Sequence, residues 1–191
     1  MTLSGKKKAK LWEQAETYLN RMRVPDSRIA HVMRQQDVTL LAEMESRETG
    51  KPLKQLPGEL ETTARYFEYY AGLVNVNHGE TINVGAGLHS YTRREPYGVV
   101  GTILPWNVPL NQAARAMAPA LAVGNVIVGK PSEETSATLV EFARIALEQG
   151  GLPAGVLNVV LGPGRTTGAA LVKHPLVRKI AFTGSVRAGK E

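Results

Sequence analysis

Three short blocks carry side chains that could do chemistry together: Pro105-Trp106-Asn107-Val108-Pro109, Lys130-Pro131-Ser132-Glu133 and Phe182-Thr183-Gly184-Ser185. Each lies where a short apolar run gives way to polar residues and then to helix-like spacing. Open α/β sheets bind their ligands at such strand-to-helix junctions. Asn107 offers amide donors without adding charge, which suits stabilisation of a developing oxyanion. The plainer reading of an isolated Asn is a turn residue satisfying nearby backbone. Lys130 and Glu133 follow a buried-type strand, and Pro131 fixes the backbone direction between them. A cation and a carboxylate placed this way can both hydrogen-bond a ribose diol, and the carboxylate repels a 2′-phosphate, favouring NAD over NADP. The alternative is a helix-capping pair with Lys130 merely exposed.

Two glycine-bearing stretches imitate phosphate loops. Gly124-Asn125-Val126-Ile127-Val128-Gly129-Lys130-Pro131 has the outline of a P-loop, but Pro131 stands where Ser or Thr must hold magnesium. Its intervening residues are strand formers and do not fold into an amide nest, so an ATPase or GTPase is excluded. Gly162-Pro163-Gly164-Arg165-Thr166-Thr167-Gly168 has one residue too many between its second and third glycines for the usual dinucleotide fingerprint. Alone, it reads equally as a glycine turn into a helix.

The blocks need elements to position them. From Asp26-Ser27, apolar residues at Ile29, Val32, Met33, Leu40, Leu41 and Met44 follow amphipathic helix spacing, ending near Gly50 with Pro52 beyond. A second helix is predicted over 57–72, where Tyr66, Phe67, Tyr69 and Tyr70 read as packing rather than a cofactor box. Residues 73–97 are polar and extended. The run His89-Ser90-Tyr91-Thr92-Arg93-Arg94, ending in Glu95-Pro96, is too charged for a central strand and fits an edge or an arm pairing with another subunit. An alternation then begins: strand 98–104, helix 111–122 ended by Gly124, strand 126–128, helix 135–149 closed by Gly150-Gly151, strand 156–161, short helix 167–173, strand 179–182 and a helix from about Ser185. The expected fold is α/β, a Rossmann-like open parallel sheet with flanking helices and right-handed crossovers, preceded by two helices and an extended arm.

Composition narrows the classes. With 43% hydrophobic and 21% charged residues, the 191-residue chain is an ordinary globule with enough length for one sizeable core. No apolar run approaches the roughly 18 residues of a membrane span. The start, Met1-Thr2-Leu3-Ser4-Gly5-Lys6-Lys7-Lys8, lacks the apolar stretch of a secretory signal. The cytoplasm is the expected location, with no membrane partner. The absence of cysteine excludes disulfides, zinc–thiolate sites and a thiolate nucleophile within these residues, and no metal site is expected. The net charge of +6 comes from a short cluster over 6–10 and from basic residues scattered among acids, which describes solvated surface rather than a nucleic acid interface.

Together these residues resemble the aldehyde dehydrogenase superfamily. Glu95-Pro96-Tyr97-Gly98-Val99-Val100-Gly101 leads into the Pro105–Pro109 block. Ala118-Pro119-Ala120-Leu121-Ala122, Gly124-Asn125, Lys130-Pro131-Ser132-Glu133, Gly151-Leu152-Pro153-Ala154-Gly155-Val156-Leu157-Asn158-Val159-Val160 and Phe182-Thr183-Gly184-Ser185 follow in family order. The match runs nearly continuously from about residue 26. It implies a frayed or truncated segment over 1–25 and an incomplete NAD(P)-binding domain over 26–191 that includes an arm strand over 88–96.

The resemblance implies roles residue by residue. Asn107 would donate its amide to the oxygen of a tetrahedral thiohemiacetal. Lys130 and Glu133 would hold the adenosine ribose, with Pro131 and Ser132 beside them. Leu104, Pro105 and Trp106 would line the cofactor cleft, and Gly164 and Gly168 would let the adenine half approach the backbone. Phe182 and Thr183 would belong to the cofactor site, and Gly184 and Ser185 would face the pyrophosphate at a helix N-terminus. The cofactor would be NAD, with NADP admitted, the substrate a small-molecule aldehyde, and the assembly a homo-oligomer. The family's nucleophilic Cys and water-activating Glu belong to sequence beyond Ser185, and members are more than twice as long. Val108 replaces a common Phe, and Gly129 a larger residue. The chain therefore reads as a fragment that carries a cofactor site and does not oxidise aldehydes alone. The competing readings are a non-catalytic nucleotide-binding or subunit-pairing remnant, and a relative that forms acyl-CoA or a phosphate intermediate.

Overall fold

The computed structural model describes residues 37–190. The residues 1–25 segment and the expected helix start at Asp26-Ser27 lie outside them. Helix α1 (Asp37–Thr49) ends at Gly50, whose φ of 75° is the left-handed turn that glycine adopts without penalty. Helix α2 (Leu56–Leu73) buries Leu56, Leu60, Thr63, Ala64 and Phe67, one stripe at helical spacing. Phe67 is the packing residue of the aromatic run, its ring centroid 5.7 Å from that of Phe142, whereas Tyr69 is exposed.

Residues 81–91 form a two-stranded antiparallel ribbon, β1 (Thr81–Ile82) with β2 (Ser90–Tyr91), separate from the main sheet. The charged arm is thus extended, but its paired strands are only two residues long.

The main sheet holds β3 (Val99–Ile103), β4 (Val126–Lys130), β5 (Leu157–Val159) and β6 (Val177–Phe182), all parallel, in the order β5-β4-β3-β6. Helix α3 (Pro109–Ala122) joins β3 to β4, α4 (Ala137–Glu148) joins β4 to β5, and α5 (Ala169–Lys173) precedes β6. The chain therefore leaves β3 toward one edge and returns on its other side, which makes β3 a topological switch point.

Alternation along the strands assigns the faces. A Cβ placed at Gly129 would meet Met117 of α3 and Leu139 of α4, so this face carries the main core with α1 to α4. The mild departure at Gly129 leaves room for the Met117 methyl, which a Cβ would approach to 2.9 Å. A Cβ at Gly101 would meet Ile180 at 2.6 Å, Leu171 at 3.1 Å and Val177 at 3.2 Å, which puts α5 on the opposite face. Gly101→Ala should lower the unfolding free energy by about 1–3 kcal/mol, because three neighbours must shift at once. A urea midpoint equal to wild type would contradict that packing.

Three expected bounds are corrected. Strand β4 runs to Lys130 rather than Val128, which carries Lys130 into the sheet. Strand β5 has three residues instead of the span 156–161. No helix is assigned within 185–190, where the chain makes turns. There Gly189 N–H donates to Ser185 O and Ala188 N–H to Ser185 Oγ.

Candidate functional site

Register sets the site. Ile103 pairs with Lys130 on one side and with Phe182 on the other, so the three blocks all begin from one row at the carboxyl edge of the sheet. Strands are about 4.8 Å apart, so Lys130 and Phe182 are about 10 Å apart across Ile103. Leu104 N–H donates to Lys130 O and Thr183 N–H to Ile103 O, carrying the backbone pairing one residue past the strands.

Lys130 is 2% exposed and its stem runs beneath Gly168, where a Cβ would stand 3.7 Å from Lys130 Cδ. Its ammonium donates to Pro131 O at 2.9 Å and to Glu133 Oε2 at 3.2 Å, leaving one of its three N–H donors. The reading of Lys130 as merely exposed is therefore excluded. Gly168 is buried against this stem.

Glu133 is 48% exposed in a 3-10 turn over Glu133–Thr135, and Ser132 caps that turn by accepting from Glu134 N–H. Its Oε1 accepts from Gly164 N–H at 2.7 Å. The carboxyl is held below its ordinary pKa by backbone hydrogen bonds, its own turn first and Gly164 next, with Lys130 adding to them. Glu133 thus ties the loop after β4 to the π-helical turn Gly164–Gly168 and keeps free lone pairs toward solvent. The glycine stretch at 162–168 forms this turn because Gly162, at φ 133°, reverses the chain ahead of it.

After β3, Leu104 is buried, Pro105 half-buried, and Trp106 and Asn107 exposed. The Asn107 amide makes no hydrogen bond among the described residues, unlike a turn Asn serving its own backbone. After β6, Phe182 is 40% exposed, and Thr183 Oγ1 donates to Gln112 Oε1 of α3 at 3.5 Å. Gly184 turns against the Phe182 ring. The structure thus brings Leu104 to Asn107, Lys130 to Glu133, Gly164 and Phe182 to Ser185 to one edge, without a helix at Ser185.

Two residues beneath this edge were not anticipated. Glu45 of α1, 1% exposed, accepts from Leu110 N–H in the first turn of α3 at 3.4 Å, and the Lys51 ammonium stands 3.7 Å from its other oxygen. Burial pushes its carboxyl up to about 7, against the opposing pull of Lys51 and the Leu110 amide. Glu48, one turn along, accepts from Ala137 N–H, Thr138 N–H and the Thr138 hydroxyl at the start of α4. The available signal was a carboxylate at position 45, four residues after buried Leu41 on the apolar stripe of α1.

Among the described residues no cluster of three or more acidic or histidine side chains could hold a metal, and no helix is long and apolar enough to cross a membrane.

The edge can be set beside known proteins. Residues 5–191 match the model of the aldehyde dehydrogenase family. Betaine aldehyde dehydrogenase of Bacillus subtilis (strain 168) is 45% identical over 165 residues, covering 86% of this chain and 33% of the relative. An NAD-dependent aldehyde dehydrogenase from Sinorhizobium meliloti superposes with a TM-score of 0.84 at 40% identity, over 90% of this chain and 34% of that one. Glyceraldehyde-3-phosphate dehydrogenase of Methanocaldococcus jannaschii DSM 2661, complexed with NADP, superposes with a TM-score of 0.83 at 33% identity, over 100% and 44%. The chain thus spans about a third to under half of the length of these relatives. With a family match over residues 5–191 and an α/β fold that superposes on these relatives, this chain belongs to the aldehyde dehydrogenase family.

Proposed function

We propose that this chain holds the adenosine half of NAD at the carboxyl edge of its sheet and contributes the oxyanion donor for oxidation of an aldehyde to a carboxylic acid. The observation that carries the reading is Glu133. It is an ionised, solvent-facing carboxylate held from below by buried Lys130 and from the side by Gly164 N–H. Its unused lone pairs fit the two hydroxyls of a ribose, and its charge disfavours a 2′-phosphate. Gly164, without a side chain, leaves the space beside that carboxylate open. Leu104, Pro105 and Trp106 supply an apolar wall, and Thr183 and Gly184 offer backbone near Phe182.

The nucleotide, when bound, supplies the acceptor for the aldehyde hydride. Asn107 stabilises negative charge on the aldehyde oxygen through its free amide N–H donors, just past the end of β3. Attack on the carbonyl carbon, forming a thiohemiacetal, falls to a cysteine thiolate outside these 191 residues, which contain no cysteine. These residues alone therefore bind the nucleotide without turnover. The β1–β2 ribbon favours a second role, pairing its open edges with another subunit.

Titration calorimetry of the 191-residue chain with NAD tests the reading. We expect binding that Glu133→Ala weakens by about 10–100-fold, the value of a charge-assisted hydrogen bond or two. The same variant should narrow the preference for NAD over NADP. A cooperatively folded chain without NAD affinity would sink the cofactor reading. Steady NADH formation from an aldehyde by these residues alone would sink the claim that the nucleophile lies elsewhere.

A further inference from the structure

Helix α3 begins immediately after the exposed Trp106-Asn107 bend, and nothing local caps it. Its N-cap residue is Val108, which has no polar side chain, and Pro109 at the first position has no N–H. The Leu110 amide is the next donor, and Leu110 is 1% exposed, so water does not satisfy it. A buried amide left unpaired is costly. The partner comes from 65 residues earlier, the carboxylate of Glu45 on α1.

A carboxylate at this place also complements the positive end of the α3 dipole. It is held in turn by Lys51, which bridges Glu45 and Glu59 of α2, with the Lys51 ammonium 2.5 Å from Glu59 Oε2. The charged groups acting on Glu45 are Lys51 in the loop after α1, Glu59 on α2 and Glu48 on α1, and the backbone group is the Leu110 amide of α3. Glu48 is occupied at the start of α4. Elements α1, the following loop, α2 and α3 therefore meet on one buried carboxylate at the first turn of α3, which Leu110 enters three residues after Asn107.

We propose that Glu45 is a positioning residue for Asn107: its carboxylate, held between Lys51 and the Leu110 amide, fixes the first turn of α3 and with it the Trp106-Asn107 bend, and its protonation loosens that hold. The positioning claim rests on the reading of Asn107 as the oxyanion donor; the coupling of Glu45 to the bend does not. A neutral carboxyl keeps an acceptor oxygen but loses its attraction to Lys51 and to the α3 dipole. The bend should then respond to pH with no ligand present.

Trp106 is the natural reporter, being 57% exposed and adjacent to Asn107. The chain has two tryptophans, so Trp12→Phe leaves Trp106 as the sole emitter. In that background, Trp106 emission and the Asn107 side-chain amide shift in 15N-labelled protein should titrate together, with a midpoint near 7. Glu45→Gln should abolish the shared transition while the protein stays folded by circular dichroism. Lys51→Met should move the midpoint upward by about one pH unit, since it removes an opposite charge. The Lys51→Met arm decides the matter if Glu45→Gln fails to fold. A transition that persists unchanged in Glu45→Gln, a midpoint unmoved in Lys51→Met, or no transition in the parent would overturn the proposal. All readouts are made without nucleotide or aldehyde. A chain that titrates as expected yet binds no NAD would thus refute the cofactor reading and leave the coupling of Glu45 to the bend intact.

Discussion

Phe67→Ala should remove about 3–5 kcal/mol of unfolding free energy, the largest loss we expect from any single core truncation in the chain. Phe67 is 1% exposed on α2 and packs its ring on Phe142 of α4, at a centroid distance of 5.7 Å and a tilt of 30°. Leu60 and Ala64 flank it along α2, and Met117 and Leu121 of α3 belong to the same core cluster. Helix α2 is held against α3, and α4 against α3 and β5, so the space left by a lost ring collapses only partly. Domains of ordinary stability hold about 5–15 kcal/mol in all, so the variant should lose about a fifth of that at the least. Urea denaturation followed by circular dichroism measures it. Phe67→Leu should recover part of the loss. Tyr69→Ala, on the same helix at an exposed position, should change stability by no more than about 1 kcal/mol. Equal losses at positions 67 and 69 would mean that helix formation in α2, and not the core contact, carries the effect.

Stability should fall by about 3 kcal/mol as pH rises from about 4.5 to about 7, through Glu45 alone. The sign follows from proton counting. The folded-state value is raised to about 7 from an ordinary 4.5, so between these limits the folded chain binds more protons at Glu45 than the unfolded chain does. Stability therefore falls with rising pH across that window. Below about 4.5 both states are protonated, and above about 7 both are ionised, so the loss is complete there. The side chain is 1% exposed, and water does not screen the penalty. Glu133 acts in the opposite direction and a different window. Its folded value is depressed, so its contribution is present above the ordinary carboxyl range and is lost as pH falls through the folded value. Urea midpoints at pH 5, 6, 7 and 8 for wild type and Glu45→Gln separate the two. The neutral amide keeps an acceptor for Leu110 N–H and carries no charge at any pH, so the slope between 5 and 7 should flatten. An equally steep slope in the variant would assign the effect to another group.

Much of the architecture was legible because it is written locally. Alternating Val/Ile runs and amphipathic stretches gave every strand of the main sheet and the helices α2 to α5. Gly50, Gly124 and Gly151 marked helix ends, where positive φ values confirm the need for glycine. Strand bounds were less secure: β4 extends through Gly129 and Lys130, residues of poor strand propensity, because Thr102 and Ile103 of β3 pair with them. Of the helix expected from about Ser185, the described residues hold a single turn, closed by Gly189 N–H on Ser185 O. Type and spacing left Asn107 open between oxyanion donor and turn residue, and Lys130 and Glu133 between ribose partners and a capping pair; register places their strand ends on one sheet edge. Their exposure was not legible. Lys130 is buried and supports Glu133, because the Gly168 backbone lies over its stem.

What the sequence determined by itself is the set of groups and their order: three polar blocks at three strand ends, no thiolate, and the family to which those blocks belong. Tertiary structure alone decided which groups meet. Register put Lys130, Ile103 and Phe182 in one row, and helix packing brought Glu45 and Glu48 to the starts of α3 and α4. Those contacts join residues 65 and 89 positions apart, where no local propensity operates. They exist because a buried N–H must find an acceptor, and in this fold the nearest one is a carboxylate on a different helix.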